Sequence, residues 1–502
     1  MYGVWTPEQV RAAEEPLLAR TPEGSLMRRA AHGVAQVAAE MLIERTGGAG
    51  GRRVVVLVGA GNNGGDGLWA GYGLRRRGVA VTAVLLAPDR AHPAGLAALR
   101  RVGGRVVDAT ADAAGADALV GGADLVVDAV VGTSARGGLR SGAAALVAAA
   151  DAAGVPVLAV DTPSGVDPLT GAPGDAAVTA ATTVALGARK PVHVLAAGRC
   201  GTVTLVDIGL GPELGEAPVT VLEAADVGGR WPVPGPGDDK YSQGVVGVAA
   251  GSATYPGAAV LASGAAALAT SGMVRYAGTA ADEVRAAWPE VVATDSVGEA
   301  GRVLAWAVGP GLGTGEAGHD TLAAVLDAGV PVLADADAVT LLGAHADLRE
   351  AASRVPTLVT PHAGEFARVA ELGDDRVDSV RRAADDLGVT VLLKGNATVV
   401  AAPDGRVLVH PAGSSWLATA GSGDVLSGVA GALLAAGLEP WSAGGCAAFV
   451  HARAAEIGAR GSAGAADRGT AAGAPVPASH VQAALPSAIR SVRAAHVGDG
   501  GT

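Results

Sequence analysis

The sequence predicts an α/β protein of two domains, each built on a mostly parallel sheet with helices on both faces. Three observations predict it. Short continuous apolar runs alternate with Ala-rich helical stretches, the pattern of strands buried on both faces and joined by helical crossovers. The alternation stops at two Pro/Gly-dense stretches, GLGPELG at 209–215 and WPVPGPGDD at 231–239, and then restarts, as a domain boundary would make it do. The chain has 502 residues, 49% of them hydrophobic, enough to give two or three domains of ~100–200 residues a sizeable core each.

A polar, helix-like start leads to Arg53–Val58 (RVVVLV), read as a buried strand, then to a Gly-rich turn and a helix to about Arg77. Val79–Leu86, Leu125–Val131, Val155–Val160 and Thr182–Leu186 are the further strands of this half. The second half restarts at Val245–Ala250 and continues with Val303–Val308, Val330–Ala334, Thr357–Val359 and Val389–Leu393. The two halves carry different motifs, so no internal repeat is present. The C-terminal stretch is Ala/Gly-rich, and the part beyond Arg493 is expected to fray.

The formal charge of −12 gives a field that repels phosphate backbones and argues against nucleic-acid binding. Cys200 and Cys446 lie far apart, outside any CxxC or Cys/His cluster, so neither a disulfide framework nor a structural zinc site is expected. Met1–Glu8 has no basic region leading into an apolar stretch, and the apolar runs stop well short of ~18 residues. A soluble, cytoplasmic protein without a membrane partner is the expectation. Of 37 basic residues only Lys190, Lys240 and Lys394 are lysine, and the asparagines are Asn62, Asn63 and Asn396. Where Arg and Ala have replaced so much else, these survivors mark candidate sites.

GAGNNGGDG at 59–67 follows the first strand and opens a helix. Glycines let the backbone approach a ligand, and a helix N-terminus offers free N–H groups to an anion. Gly59, Gly61 and Gly64 satisfy GxGxxG, with Asp89 as a ribose-binding acid, but 76 glycines make chance matches common. Asn62, Asn63 and Asp66 depart from an ordinary dinucleotide fingerprint, since Asp66 puts a carboxylate where pyrophosphate would sit. Its alternative role is a helix-dipole partner. DAVVGTS at 128–134 and VDTPSGVD at 160–167 end two more strands. Ligands bind outside the carboxyl ends of open parallel sheets, so Asn63, Asp128, Asp161 and Ser164 are expected in one crevice. Such oxygen-rich groups suit a hard cation or a ribose hydroxyl, although each cluster by itself also reads as turn chemistry. Lys190, in ARKP, ends a fourth strand.

The second half carries DKYSQG at 239–244, GSATYPGA at 251–258, GPGLG at 309–313, ADADA at 334–338, TPHAGEF at 360–366, KGNAT at 394–398 and AGSGD at 420–424. Small residues ahead of a helix make an anion hole of backbone amides aligned with the helix dipole. Asp424, closing that turn, would accept a proton from a substrate hydroxyl while the amides hold a transferring phosphate; the alternative is a helix cap. His362 reads as a site residue or as a solvent-exposed loop histidine. Asp335 and Asp337 read equally as a helix cap and a salt-bridge partner.

Residues 1–213, through LMRRA (Leu26–Ala30), GAGNNGGDG, DAVVGTS, VDTPSGVD and the ARKP lysine in that order, resemble the epimerase domain of the bifunctional NAD(P)H-hydrate repair enzymes. The resemblance implies a Rossmann-like three-layer α/β/α domain. It implies that hydrated dinucleotide is bound by Asn62, Asn63, Gly64, Gly65 and Asp66, by Gly132, Thr133, Ser134, Ala135, Arg136, Gly137 and Gly138, and by Asp161. It also implies a K+ ion on Asn63, Asp128 and Ser164. Asp161 is the candidate acid/base for inverting C6, with Lys190 beside it. Residues 219–502 resemble the dehydratase domain of the same enzymes, a ribokinase-like α/β domain, through TPHAGEF, ADADA and GSATYPGA. That resemblance implies ADP as co-substrate with Mg2+, and AMP and phosphate as products. It puts the hydrated dinucleotide, NAD(P)HX, near Ala258, Gly313, His362 and Asp424, and the adenine nucleotide near Lys394, Gly395, Asn396, Ala397, Thr398 and Gly423. A homo-oligomer is expected. Two other readings compete: a small-molecule kinase fused to a dinucleotide-binding domain, and a catalytically silent N-terminal scaffold.

Overall fold

A computed structural model describes residues 1–133, 137–270, 272–411, 415–460 and 473–499. It divides into two compact units, Gly3–Pro218 and Val219–Thr502, with Met1–Tyr2 grouped with the second.

After β1 (Tyr2–Val4), the N-terminal unit contains β2 (Arg53–Val58), β3 (Ala80–Leu85), β4 (Arg105–Asp108), β5 (Leu125–Ala129), β6 (Val157–Val160), β7 (Thr182–Leu186) and β8 (Thr202–Val206). These seven strands run in the order β4-β3-β2-β5-β6-β7-β8, and every neighbouring pair is parallel. The order reverses between β2 and β5, which creates the crevice where such sheets take ligands. One apolar core, with Val54, Val56 and Val58, fills one face under the helices Ser25–Thr46 and Asn62–Arg76. A second, with Val55 and Leu57, fills the other under Ala113–Gly121 and Ser141–Ala152. Alternate residues of one strand therefore serve both cores, which is why RVVVLV is apolar throughout. The three-layer α/β/α expectation holds.

The C-terminal unit contributes β9 (Val219–Val221), β10 (Val245–Ala249), β11 (Met273–Ala277), β12 (Val292–Thr294), β13 (Ala305–Val308), β14 (Val332–Ala334), β15 (Thr357–Val359), β16 (Thr390–Leu393), β17 (Thr398–Ala401) and β18 (Val407–His410). From β9 onward its sheet order is β9-β18-β17-β16-β15-β14-β13-β10-β11-β12. The run from β12 to β16 is parallel, β17 is antiparallel to β16, and β18 is antiparallel to β17. Here the order reverses between β10 and β13.

Three expectations need correction. Leu125–Val131 ends two residues early, at Ala129, because the Val130 and Val131 amides turn off the ladder to donate to Asp128 Oδ1 (3.2 Å) and Ser164 Oγ (3.1 Å). The chain beyond Arg493 does not fray at once: the last helix is Ala478–Asp499, anchored by buried Val481, Leu485, Ala488 and Val492. Asp89 does not directly end a strand; it is exposed on a one-turn 3-10 helix, Pro88–Arg90, after β3. Both cysteines are buried, and burial pushes their thiols up to about 12 for Cys200 and about 11 for Cys446. Among the described residues no helix is long and apolar enough to cross a membrane.

Candidate functional site

In the N-terminal unit the loop after β2 can form only because Gly59 lacks a Cβ, which would run into the Val130 carbonyl. That close approach sets the GAGNNGGDG turn against the end of β5. Asn62 and Asn63 start the helix Asn62–Arg76, with Asn62 exposed and Gly64, Gly65 and Asp66 buried. Asp128 is fully buried near the end of β5. Its Oδ2 accepts from the Ser164 amide (2.8 Å) and its Oδ1 from the Ser164 hydroxyl (2.6 Å). Burial raises its pKa to about 6 in spite of those hydrogen bonds. The Nδ2 of Asn63 is buried with no hydrogen-bond partner among the described residues, and a Cβ at Gly132 would sit 3.4 Å from the Asn63 side chain. Asp128 and Ser164 are thus joined by hydrogen bonds, and Asn63 lies against Gly132. Thr133 follows them, Gly138 packs on the backbone at 174–176, and Gly137 is exposed beside it. Ser134, Ala135 and Arg136 lie outside the described residues.

Asp161 follows β6 with φ of 67°, a left-handed conformation rare outside glycine. The cost is ~1–3 kcal/mol, and the surroundings hold the residue there. The Asp161 amide donates to Val184 O (2.9 Å) and its carbonyl meets His193 Nε2 at 2.7 Å. Its Oδ1 accepts from Leu186 N (3.1 Å) and from Lys190 Nζ (2.6 Å). Lys190 is buried and also donates to the carbonyls of Leu186 (3.0 Å) and Ala188 (3.2 Å). Among the described residues Asp161 Oδ2 has no hydrogen bond, leaving one oxygen available to a ligand. Asp66 is buried close by; burial, then the charges of Asp161 and Glu14, push its carboxyl well above the usual range. Two neighbouring carboxyl groups, one with an open oxygen, are the kind of pair that acid/base chemistry uses.

In the C-terminal unit the GSGD turn opens the helix Ser422–Ala435, entered through Gly421 at φ of 82°. Lys394, at the end of β16, places Nζ 2.7 Å from Asp335 Oδ1 and 3.7 Å from Glu365 Oε2. Burial opposes its charge, but Asp335 and Glu365 outweigh that and hold its pKa above the usual value. The other Asp335 oxygen accepts from Ser427 Oγ (2.7 Å), which also bonds Gly423 O (3.0 Å). Asp335 is therefore the salt-bridge partner, and Asp337 holds the Gly313 amide through Oδ2 (2.8 Å). Burial, then the Asp335 charge, raise Asp424 to about 6. His362 caps a short helix, its Nδ1 accepting from Gly364 N (3.0 Å) and Glu365 N (3.2 Å).

A cavity of about 600 Å3 brings His362, Lys394, Gly395, Asn396, Thr398 and Gly423 together with His410, Leu417, Leu426 and His451. Ala397 is buried and, with Ala258, Gly313 and Asp424, is outside that wall. Ala258 instead neighbours Gly311, 3.2 Å from where a Cβ there would be. Lys240 is exposed over the Tyr241 ring, 5.2 Å from its centroid. Sequence reasoning missed Glu365, Ser427, His193, His410 and His451. Glu365 lay within the quoted TPHAGEF, whereas nothing local marks the others.

Charged groups gathered at the strand carboxyl ends of two units define a class, α/β enzymes with two separate sites on one chain. Residues 23–192 match the family described as YjeF-related protein N-terminus, and residues 246–467 match that described as NAD(P)H-hydrate dehydratase. The chain is 58% identical over 440 residues to the bifunctional NAD(P)H-hydrate repair enzyme Nnr of Mycobacterium tuberculosis, covering 87% of this chain and 90% of that one. It is 55% identical over 461 residues to the Mycobacterium leprae enzyme of the same name, covering 91% and 94%. Over 232 residues it is 41% identical to the ADP-dependent (S)-NAD(P)H-hydrate dehydratase of Neisseria meningitidis, covering 43% of this chain and 78% of that one. The chain belongs to the bifunctional NAD(P)H-hydrate repair enzymes, which join an epimerase half to a dehydratase half.

Proposed function

We propose that the N-terminal unit interconverts the R and S epimers of hydrated NADH and NADPH. In the C-terminal unit the S epimer is dehydrated with ADP, releasing AMP and phosphate. The observation that carries this reading is family likeness along both halves of a chain whose two units each gather buried carboxyl groups at their strand ends.

Inverting C6, which bears both a hydroxyl and a ring nitrogen, needs a bond at that carbon to break and re-form: as the hydroxyl proton is removed the C6–N bond opens to an aldehyde and the nitrogen is protonated, and closure on the other face reverses both transfers. Asp161, salt-bridged to Lys190 with Oδ2 open, is the proton acceptor; Asp66, whose hold on its proton is strengthened by burial, is the donor. Asn62, Asn63 and the 132–138 loop, including Ser134, Ala135 and Arg136, hold the dinucleotide. The buried Asp128 carboxylate and the unpartnered Asn63 amide fit a monovalent cation. K+ held by Asn63, Asp128 and Ser164 would neutralise that carboxylate and tie the two loops together.

In the C-terminal unit Asp424 takes the proton of the C6 hydroxyl as the amides of the GSGD turn receive the phosphoryl group from ADP, which leaves as AMP; phosphate then departs from C6 as a proton is lost from C5 to solvent, forming the C5–C6 double bond. Lys394, Gly395, Asn396, Ala397, Thr398 and Gly423 hold ADP, while Ala258, Gly313 and His362 hold the hydrate. Both Asp335 oxygens are engaged, by Lys394 and Ser427, so this carboxylate does not fit a protein-held Mg2+ ion. Magnesium would arrive with the nucleotide. A cytoplasmic homo-oligomer is part of the proposal.

The test is to incubate a mixture of NADH-hydrate epimers with ADP and follow the absorbance of reduced nicotinamide. Complete recovery is expected. No recovery with either epimer, or a stable phosphorylated product, would overturn the reading.

A further inference from the structure

Two imidazoles in the wall of the 600 Å3 cavity have no part in the dehydration described above. His451, on the helix Pro440–Arg460, is 7% exposed, and its Nε2 is buried without a hydrogen-bond partner among the described residues. His410, the last residue of β18, has its own Nε2 buried and unpartnered. A buried polar atom left unpaired costs ~1–3 kcal/mol, so two in one cavity wall point to a ligand that pairs them.

The Ser422 backbone lies close to the His451 ring. Burial lowers both rings to about 4, so near neutral pH each is a neutral imidazole with one nitrogen free to accept a hydrogen bond. Around the two rings stand Leu417, Leu426, Ala448 and Ala452, apolar surface suited to a flat heteroaromatic ring. His410 packs against Phe449 at 5.2 Å between centroids, which fixes its plane. Lys394 and the Ser422–Gly423 turn supply the charge and amides for phosphates in the same cavity.

We infer that His451, supported by His410, selects the base of the nucleotide, its Nε2 accepting a hydrogen bond from the exocyclic amine of adenine. The inference rests on the ADP reading above and adds base specificity to it. Adenine offers an N–H donor at its 6-position; hypoxanthine offers a carbonyl oxygen there, which would face the His451 lone pair.

The experiment is calorimetric titration of the full chain with ADP, IDP and the diphosphate of purine riboside, which lacks the 6-amino group. Wild-type protein is expected to bind ADP at least about tenfold more tightly than the other two, the equivalent of ~1.4 kcal/mol. His451→Phe should lose about that factor for ADP and leave IDP unchanged. His451→Gln, which keeps an acceptor, should recover part of the preference. The wild-type comparison needs no variant to fold. Equal wild-type affinity for the three nucleotides, or equal loss of ADP and IDP in His451→Phe, would overturn the base assignment alone. Binding of none of them by the wild type would overturn the ADP reading, and the inference with it.

Discussion

Lys190→Met removes one partner of the ion pair at the centre of the N-terminal site. Lys190 Nζ contacts Asp161 Oδ1 at 2.6 Å, with side-chain exposures of 1% and 12%. Breaking a buried pair from one side costs ~3–5 kcal/mol, because the other charge stays behind without compensation. Methionine nearly conserves the volume, so little cavity cost is added. For a unit of this size each kcal/mol moves the midpoint by ~2–4 °C, so the melting transition should fall by roughly 10 °C. Calorimetry on the full chain is the assay, with the two units followed as separate transitions. Only the N-terminal one should move. Asp161→Asn is the matched second variant, since asparagine tolerates the left-handed backbone at this position. The double variant should be less destabilised than the two singles summed, by at least ~1 kcal/mol. A fall below about 3 °C, or an equal fall in both transitions, would refute the assignment of Lys190 as a buried counter-charge.

The remaining predictions concern the cation, the two reactions and the phosphate turn. Asp128 has a folded pKa of about 6 against 3.8, so its stabilising contribution is complete below 3.8 and is lost as pH rises through 6, about 3 kcal/mol in all. K+ should offset that loss, and the gain in melting temperature from K+ over N-methylglucamine should grow between pH 5 and 7.5; a constant gain counts against the site. Dehydration should rise with pH through about 6 as Asp424 ionises, and Asp424→Asn should lower it ~100-fold or more with epimerisation intact, read by chromatography of the epimers. Gly423→Ala adds a Cβ 3.5 Å from Lys394 Nζ, an ordinary contact, so it should fold normally and weaken ADP binding. Gly59→Ala would drive a Cβ into the Val130 carbonyl and should unfold the N-terminal unit, seen as loss of its calorimetric transition.

Strands β2, β7 and β15 were legible to the residue because both faces are buried and nothing polar interrupts them. Strands β11 (MVRYA) and β12 (VAT) were not read: one carries Arg275 in mid-strand and the other is a three-residue edge strand. The last helix could have been found, since Val481, Leu485, Ala488 and Val492 keep a helical spacing. Its alanine and glycine content hid that stripe. At the sites, motifs and the grouping of Asp161 with Lys190 were legible, but atomic contacts were not: the bond from Lys190 Nζ to Asp161 Oδ1 joins residues 29 apart in sequence. Asp335 stayed ambiguous beside Asp337 until Lys394 and Ser427 were seen to take its two oxygens. His451, in an alanine-rich helix, looks like any core residue until its unpartnered nitrogen meets a cavity.

His193 gives the N-terminal unit a property of its own. The ring accepts from the Lys190 amide through Nδ1 (2.9 Å), which leaves Nε2–H to donate to the Asp161 carbonyl. Burial, helped by the Lys190 charge, holds the ring's pKa to about 4. This imidazole is thus a brace whose tautomer stays locked from mild acid to alkali, unlike most histidines beside reactive groups. Any change of epimerisation rate between pH 5 and 8 therefore reports proton traffic among carboxyl groups and substrate, free of imidazole titration at this position.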